Sequence, residues 1–292
     1  MQKQNRREFL KSSIAGAGLL YFNEGAGLAQ SPANVVKKQA TDQVLLGSTG
    51  IKLSRLAMGS GTNGWNHSSD QTRLGLKAFS DLLCYGYDQG INFWESADAY
   101  GSHIYLREGI KQVGRDKLVI LTKTRAQTAR EMREDLDRFR RELGTEHIDI
   151  LLLHCMLSSR WPEERQGAME VLSEARHRGI IRAHGVSCHD FGALQTAARH
   201  PWVQVDLARI NPIQRHMDAD PASVVNVLRQ MKKAGKGAIG MKILAQGDLA
   251  KNVDKALEYA AKLDCLDTFT IGFTSPKQLE EVIQKVPKLS VS

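Results

Sequence analysis

The sequence predicts an α/β protein, a (β/α)8 TIM barrel with an N-terminal β-hairpin closing the barrel bottom. Three observations predict it. Short, mostly apolar runs at 56–59, 92–95, 118–123, 148–154, 181–187, 203–210, 238–242 and 268–271 read as strands buried on both faces. Helical patterns with their own start and stop signals alternate with these runs, which makes eight parallel βα units and a closed barrel the natural arrangement. The rival doubly wound sheet requires a glycine fingerprint after the first strand. Gly59-Ser60-Gly61-Thr62-Asn63-Gly64 has the wrong spacing, and no helix follows it at once.

In chain order, Asn5-Arg6-Arg7-Glu8-Phe9-Leu10-Lys11 resembles a twin-arginine export signal. A moderately apolar stretch at 14–22 follows, too short for the ~20 residues a membrane span needs. Gly27-Leu28-Ala29 then offers small residues for cleavage before Gln30. Domain organisation therefore reads as a signal peptide at 1–29, a linker at 30–43 and the barrel at 44–292. The reading places the protein outside the cytoplasm, exported by the twin-arginine route and periplasmic, with no stable membrane insertion after signal cleavage.

The hairpin is expected at 44–46 and 51–53 around Gly47-Ser48-Thr49-Gly50. Thr128 and Glu131 form a capping box ahead of Met132, Leu136, Phe139 and Leu143, which share one helical face. Ala168, Val171, Leu172 and Ala175 form another such face, stopped by Gly179. Asp220-Pro221 opens a third helix, with Val224, Leu228 and Met231 inside. Ser275-Pro276-Lys277-Gln278 opens the last with a cap, a proline and a third-position Gln.

Composition narrows the function classes. The 292 residues carry 42% hydrophobic and 25% charged side chains, an ordinary globular balance, and a formal net charge of +8. The basic residues are scattered over helices and form no stripe, so nucleic-acid binding is not supported, whereas an anionic small ligand suits the charge. Cys84, Cys155, Cys188 and Cys265 show no CxxC spacing, which excludes a zinc ribbon or a thioredoxin-type motif.

Barrel chemistry sits where strands end. Strand two ends at Glu95, and a turn of small residues then delivers Tyr100 against Gly101. A phenol, with its pKa near ~10, is a poor acid unless a cation stabilises its anion. Strand three ends at Lys123, which supplies that cation and takes Glu95 as its counter-ion; strand four ends at His154. By alternation Arg209 shares a strand face with Leu207, and so points into the mouth and favours an anionic substrate.

These residues resemble the aldo-keto reductases over about 44–286. The resemblance rests on the hairpin, Phe93-Trp94-Glu95-Ser96-Ala97-Asp98-Ala99-Tyr100-Gly101, Leu121-Thr122-Lys123, Leu153-His154, Gly185-Val186-Ser187, and Ile271-Gly272 followed by Gln278-Leu279-Glu280-Glu281, all in family order. It implies NAD(P)H-dependent reduction of a small-molecule carbonyl, with NADP as the cofactor and NAD as the alternative. Tyr100 would be the general acid, Lys123 would depress its pKa, Glu95 would hold Lys123, and His154 would orient the carbonyl oxygen. Gly61 and Thr62 would line the nicotinamide end, and Ser187 and Cys188 its carboxamide. Lys242, Leu244 and Gly247 would border the pyrophosphate, while Gly272, Thr274, Gln278 and Glu281 would hold the adenosine half. Glu95 stands where the family has Asp, Cys188 where it has Asn, Leu207 where it has Gln, Met241 where it has Tyr and Val282 where it has Asn. Short substrate loops imply an open mouth.

Two other functions fit the residues. One is a metal-dependent barrel enzyme with zinc gathered by His154, Cys155, Cys188 and His189, although successive strand residues face opposite ways. The other is a barrel that binds nucleotide without turnover. No metal is needed by the first reading, and the oligomeric state is open.

Overall fold

The computed structural model describes residues 37–290. The expected export signal, 1–29, lies outside the described residues. β1 (Gln43–Leu45) and β2 (Lys52–Ser54) form the antiparallel hairpin. The eight parallel strands are β3 (Leu56–Gly59), β4 (Phe93–Glu95), β5 (Val119–Thr124), β6 (Ile148–Met156), β7 (Ile181–Cys188), β8 (Val205–Arg209), β9 (Gly237–Met241) and β10 (Thr268–Gly272), closed in the order β10-β3-β4-β5-β6-β7-β8-β9. Each connects to the next through the outer layer: α1 (Leu76–Asp88), α2 (His103–Val113), α3 (Ala129–Leu143), α4 (Trp161–Glu164) with α5 (Gln166–His177), α6 (Phe191–Arg199), α7 (Pro221–Lys233) and α8 (Val253–Lys262), with α9 (Pro276–Leu289) after β10. Among the described residues no helix is long and apolar enough to cross a membrane.

Local signals explain the helices. The Thr128 side chain accepts from the Glu131 amide, Glu131 reaches back to the Thr128 amide, and Met132, Leu136, Phe139 and Leu143 are all buried. Asp220 and Ser275 cap α7 and α9 in the same way, each with proline at the first turn. Gln278 departs from the expected capping box: its side-chain oxygen accepts from the Thr274 amide, one residue before the cap.

Two apolar layers result. Phe93, Leu121, Ile150, Leu152, Val205, Leu207 and Ile239 fill the lumen, two residues apart where a strand gives more than one, as in Ile150 and Leu152 or Val205 and Leu207. Their neighbours, such as Trp94, Ile120, Leu151 and Val186, pack outward against the helices. Each buried side chain of this size contributes roughly 1.5–3 kcal/mol.

Leu46, Ile51 and Leu53 join the lumen cluster, so the hairpin plugs its N-terminal end. Asp267 ties the plug in place, accepting from the amides of Gly47 at 3.0 Å and Ala238 at 3.1 Å. Gly47, at φ +51°, is required there: a Cβ would lie 2.4 Å from the Gly237 nitrogen. The barrel starts earlier than residue 44. Ala40 is buried, its carbonyl accepts from the Leu56 amide, and the Lys38 amide donates to the Ser290 hydroxyl at 3.0 Å. Residues 38–43, expected to be linker, are thus packed on the barrel because they close the floor between β3 and α9.

Candidate active site

Alternation decides which side chains meet above the apolar lumen. Going up each strand, Phe93 is followed inward by Glu95, Leu121 by Lys123, Leu152 by His154 and Leu207 by Arg209. The register pairs Glu95 with Leu121 and Ser187 with Leu207, so this polar tier rests directly on the apolar one.

Lys123 is fully buried and donates to the Glu95 carboxylate and, at 2.6 Å, to the Ser96 carbonyl. The Thr270 hydroxyl holds the other Glu95 oxygen at 3.2 Å. Burial pulls the Lys123 pKa down and Glu95 partly restores it. Such a pair contributes little net stability, but removing one partner leaves a charge stranded.

Tyr100 ends a single 3-10 turn, Asp98–Tyr100, and Gly101 turns the chain away at φ +64°. The Lys123 ammonium lies 4.9 Å from the centre of the Tyr100 ring, and the His154 ring stands edge-on to it at 5.8 Å. The four expected side chains therefore do converge. The depression of the Tyr100 pKa expected from Lys123 does not emerge: burial first, and then the charge of Glu95, hold it well above the ordinary phenol value. The Lys123 hydrogen bonds are directed to Glu95 and Ser96, and its ammonium meets the face of the ring and not the hydroxyl.

His154 is buried with its Nδ1 unpartnered among the described residues. Burial, reinforced by the charge of Lys123, drives its pKa well below 6.5, so the ring is neutral at physiological pH. His189, 6.4 Å from it, is lowered to about 3, first by burial and then by Arg209, Lys242, Lys123 and Arg125. The field at this end of the barrel is positive.

The loop between β3 and α1 covers Tyr100. A Cβ on Gly61 would lie 2.1 Å from the Tyr100 Cε2, and one on Gly64 2.3 Å from its Cδ1. A buried chain of hydroxyls, Ser60 to Ser102 at 2.8 Å and Ser102 to Ser96 at 2.6 Å, ties this loop to the turn carrying Tyr100. Gly61 is thus placed against the phenol ring. Thr62 is held by Gln71, whose side chain accepts from the Thr62 amide at 2.9 Å and donates to its hydroxyl at 3.1 Å. Gly272 lies under this pair, where a Cβ would meet the Thr62 hydroxyl at 2.2 Å. A cavity of about 200 Å3 remains, lined by Trp65, Asn66, His67, Asp98, Ala99, Lys123, Arg125 and His154.

Other expected residues divide. The Ser187 hydroxyl accepts from the Cys155 amide at 3.0 Å on the lumen side. Cys188 points the other way, fully buried with its sulfur 3.8 Å from Asp206, because it has the opposite parity on β7; it does not reach the mouth. Parity and a bulge in β6, where Cys155 takes φ +65°, also keep His154, Cys155, Cys188 and His189 from gathering as zinc ligands; the one potential metal-holding group among the described residues is Asp98, His103 and Glu142. Arg209 does turn inward, but its guanidinium is paired with Asp218 at 2.7 Å, so its charge is not free for a substrate. Lys242 is half-buried and forms no ion pair among the described residues; Leu244 and Gly247 follow in the same loop, with open space beside Gly247. Thr274 and Gln278 hydrogen-bond each other, and Glu281 pairs with Lys285 at 2.8 Å.

A family model described as the aldo/keto reductase family matches residues 55–256. The chain belongs to the aldo/keto reductase family. This family is one of oxidoreductases. The aldo-keto reductase AFTS1 of Alternaria alternata is 23% identical over 290 residues, covering 85% of this chain and 76% of that protein. Among solved structures, PA4992 of Pseudomonas aeruginosa, a candidate aldo-keto reductase, superposes with a TM-score of 0.72 at 20% identity, covering 88% of this chain and 98% of that one. The Bombyx mori aldo-keto reductase AKR2E4, solved in complex with NADP, has a TM-score of 0.62 at 14% identity, with 85% and 91% covered.

Sequence reading missed Trp65, His67 and Arg125, which line the cavity of this aldo/keto reductase. The alternation that located Arg209 applies equally to Arg125, two residues beyond Lys123. Trp65 carried a fainter signal, an aromatic in a loop of Gly, Asn, His and Ser.

Proposed function

We propose that this protein reduces an aldehyde or ketone to the alcohol with NADPH as cofactor and Tyr100 as proton donor. The observation that carries the reading is the convergence of Tyr100, the Lys123–Glu95 pair and neutral His154 at the C-terminal end of the barrel, where Lys123 and His154 line one cavity. Family membership and the NADP in the Bombyx mori relative support the cofactor.

The residues fit a dinucleotide. Lys242 is a cation without an acidic partner among the described residues, and the neighbouring strand β10 leads into the Ser275-capped N-terminus of α9, whose free amides favour phosphate. Lys242, Ser187 and the first turn of α9 would hold the cofactor, which supplies the hydride when bound. NAD is the alternative.

The chain's own residues account for the proton. His154, held neutral and lining the cavity, orients the carbonyl oxygen. Tyr100 stays protonated because burial and Glu95 disfavour its anion. It still donates favourably, since the alkoxide formed is a far stronger base than a phenolate. Lys123, fixed by Glu95 against the ring face, offsets part of the cost of the phenolate without bringing the phenol below its ordinary pKa. The Ser60–Ser102–Ser96 chain and Gly61 hold the ring in place. We also propose that the precursor leaves the cytoplasm folded, by the twin-arginine route, on the strength of Arg6, Arg7 and the stretch that follows.

The test is Tyr100→Phe, which keeps the ring and removes the proton donor. Turnover of a panel of aldehydes with NADPH should fall ~10²–10⁴-fold while the NADPH Kd changes less than twofold. Undiminished turnover in the variant refutes the role of Tyr100. Tight NADPH binding by the parent with no carbonyl reduced would favour the binding-only barrel.

A further inference from the structure

We infer that Arg125 selects the substrate, and that it selects a carbonyl compound bearing a carboxylate. The inference rests on the carbonyl-reducing reading above and adds a substrate class to it.

Arg125 follows the last residue of β5, two positions beyond Lys123, and lines the same cavity as Lys123 and His154. Its guanidinium lies over the indole of Trp65, 4.3 Å from the ring centre, joining two separate βα loops across the mouth. Stacking on an aromatic face fixes the plane of a guanidinium and leaves its N–H edge free, the edge that matches a carboxylate in two parallel bonds.

Charge accounting isolates Arg125 among the cations that line the cavity; Lys242, also without an ion pair among the described residues, is not part of that lining. Lys123 is neutralised by Glu95 and Arg209 by Asp218. The acid nearest at hand, Asp98, lines the cavity but is paired with Arg138 at 2.7 Å. Arg125 forms no ion pair among the described residues, and apart from the stacking on Trp65 its one contact is through the backbone carbonyl, which accepts from Arg165 at 3.4 Å. Its charge acts on the cavity, where it contributes to lowering His154 and His189. Trp65 is 62% exposed, a large apolar surface at the rim that a substrate's hydrocarbon part would cover. A small molecule in about 200 Å3 can place a carbonyl at His154 and an anion at Arg125 together.

The test uses paired probes that differ only in charge. With NADPH, the parent should show a kcat/KM for 4-carboxybenzaldehyde ~10- to 100-fold above that for benzaldehyde, the effect of one charge-assisted hydrogen-bonded pair. In Arg125→Leu the ratio should fall to about one, and in Arg125→Lys, which keeps the charge but loses the fork, it should be intermediate. A parent ratio near one, or a ratio that survives Arg125→Leu, overturns the inference. A binding arm needs no turnover. Benzoate should bind the parent at least ~10-fold tighter than benzamide by calorimetry, quench Trp65 fluorescence, and lose that advantage in Arg125→Leu. If no aldehyde is reduced, the carbonyl-reducing reading fails and the binding arm still decides the role of Arg125: benzoate preference lost with Arg125 upholds the anion site, and equal binding of the two probes removes it.

Discussion

Asp206 lies on the outward face of β8, fully buried, with only the Cys188 sulfur at 3.8 Å beside one oxygen and no partner for the other. Burial first, and then the charge of Asp218, raise its pKa from 3.8 to about 8. The folded state therefore keeps a proton that the unfolded chain releases at low pH. Between these two values the unfolded state binds fewer protons, so stability falls as pH rises, by about 1.4 kcal/mol per unit. Below pH 3.8 the contribution is complete, and by pH 7 about 3–5 kcal/mol of it is gone. Asp206→Asn mimics the neutral acid in shape and cannot ionise. It leaves two unpartnered N–H donors where the neutral carboxyl has one O–H. Relative to the parent, the variant should gain about 3–5 kcal/mol between pH 4 and pH 7. Urea unfolding of both proteins at a series of pH values gives the difference directly, free of every other titrating group. Parallel pH profiles would refute the argument that this carboxyl is held neutral.

Glu95→Ala strands the Lys123 ammonium in a dry site and should cost ~3–5 kcal/mol in urea unfolding; a loss under 1 kcal/mol would mean water reaches Lys123. Gly61→Ala places a methyl inside the Tyr100 ring contact and, by shifting the donor by ~1 Å, should lower kcat about 10²-fold while leaving NADPH affinity nearly unchanged; undiminished kcat would show that the loop yields without moving Tyr100. Replacing Arg6 and Arg7 together by Lys should hold the uncleaved precursor in the cytoplasm, as read by fractionation, and normal export of that variant would exclude the twin-arginine route.

The sequence by itself determined the architecture and the tier of polar side chains. Strand alternation is a local property of the backbone, so the step from Phe93 to Glu95, from Leu121 to Lys123 and from Leu152 to His154 could be counted off without any partner. Capping at Thr128, Asp220 and Ser275 is equally local and was legible to the residue. Only the tertiary structure decided which charge neutralises which. Arg209 and Arg125 read alike in sequence, yet one meets Asp218 and the other meets Trp65, because the βα loops that supply those partners fold independently of the strands. The direction of the Tyr100 shift was also undetermined by pattern. It depends on where the Lys123 ammonium sits and on how completely the loop bearing Gly61 and Gly64 excludes water, both set by contacts distant along the chain. Asp206 carried no sequence signal, since its neutrality follows from burial and from the charge of Asp218, and both are properties of the assembled layers.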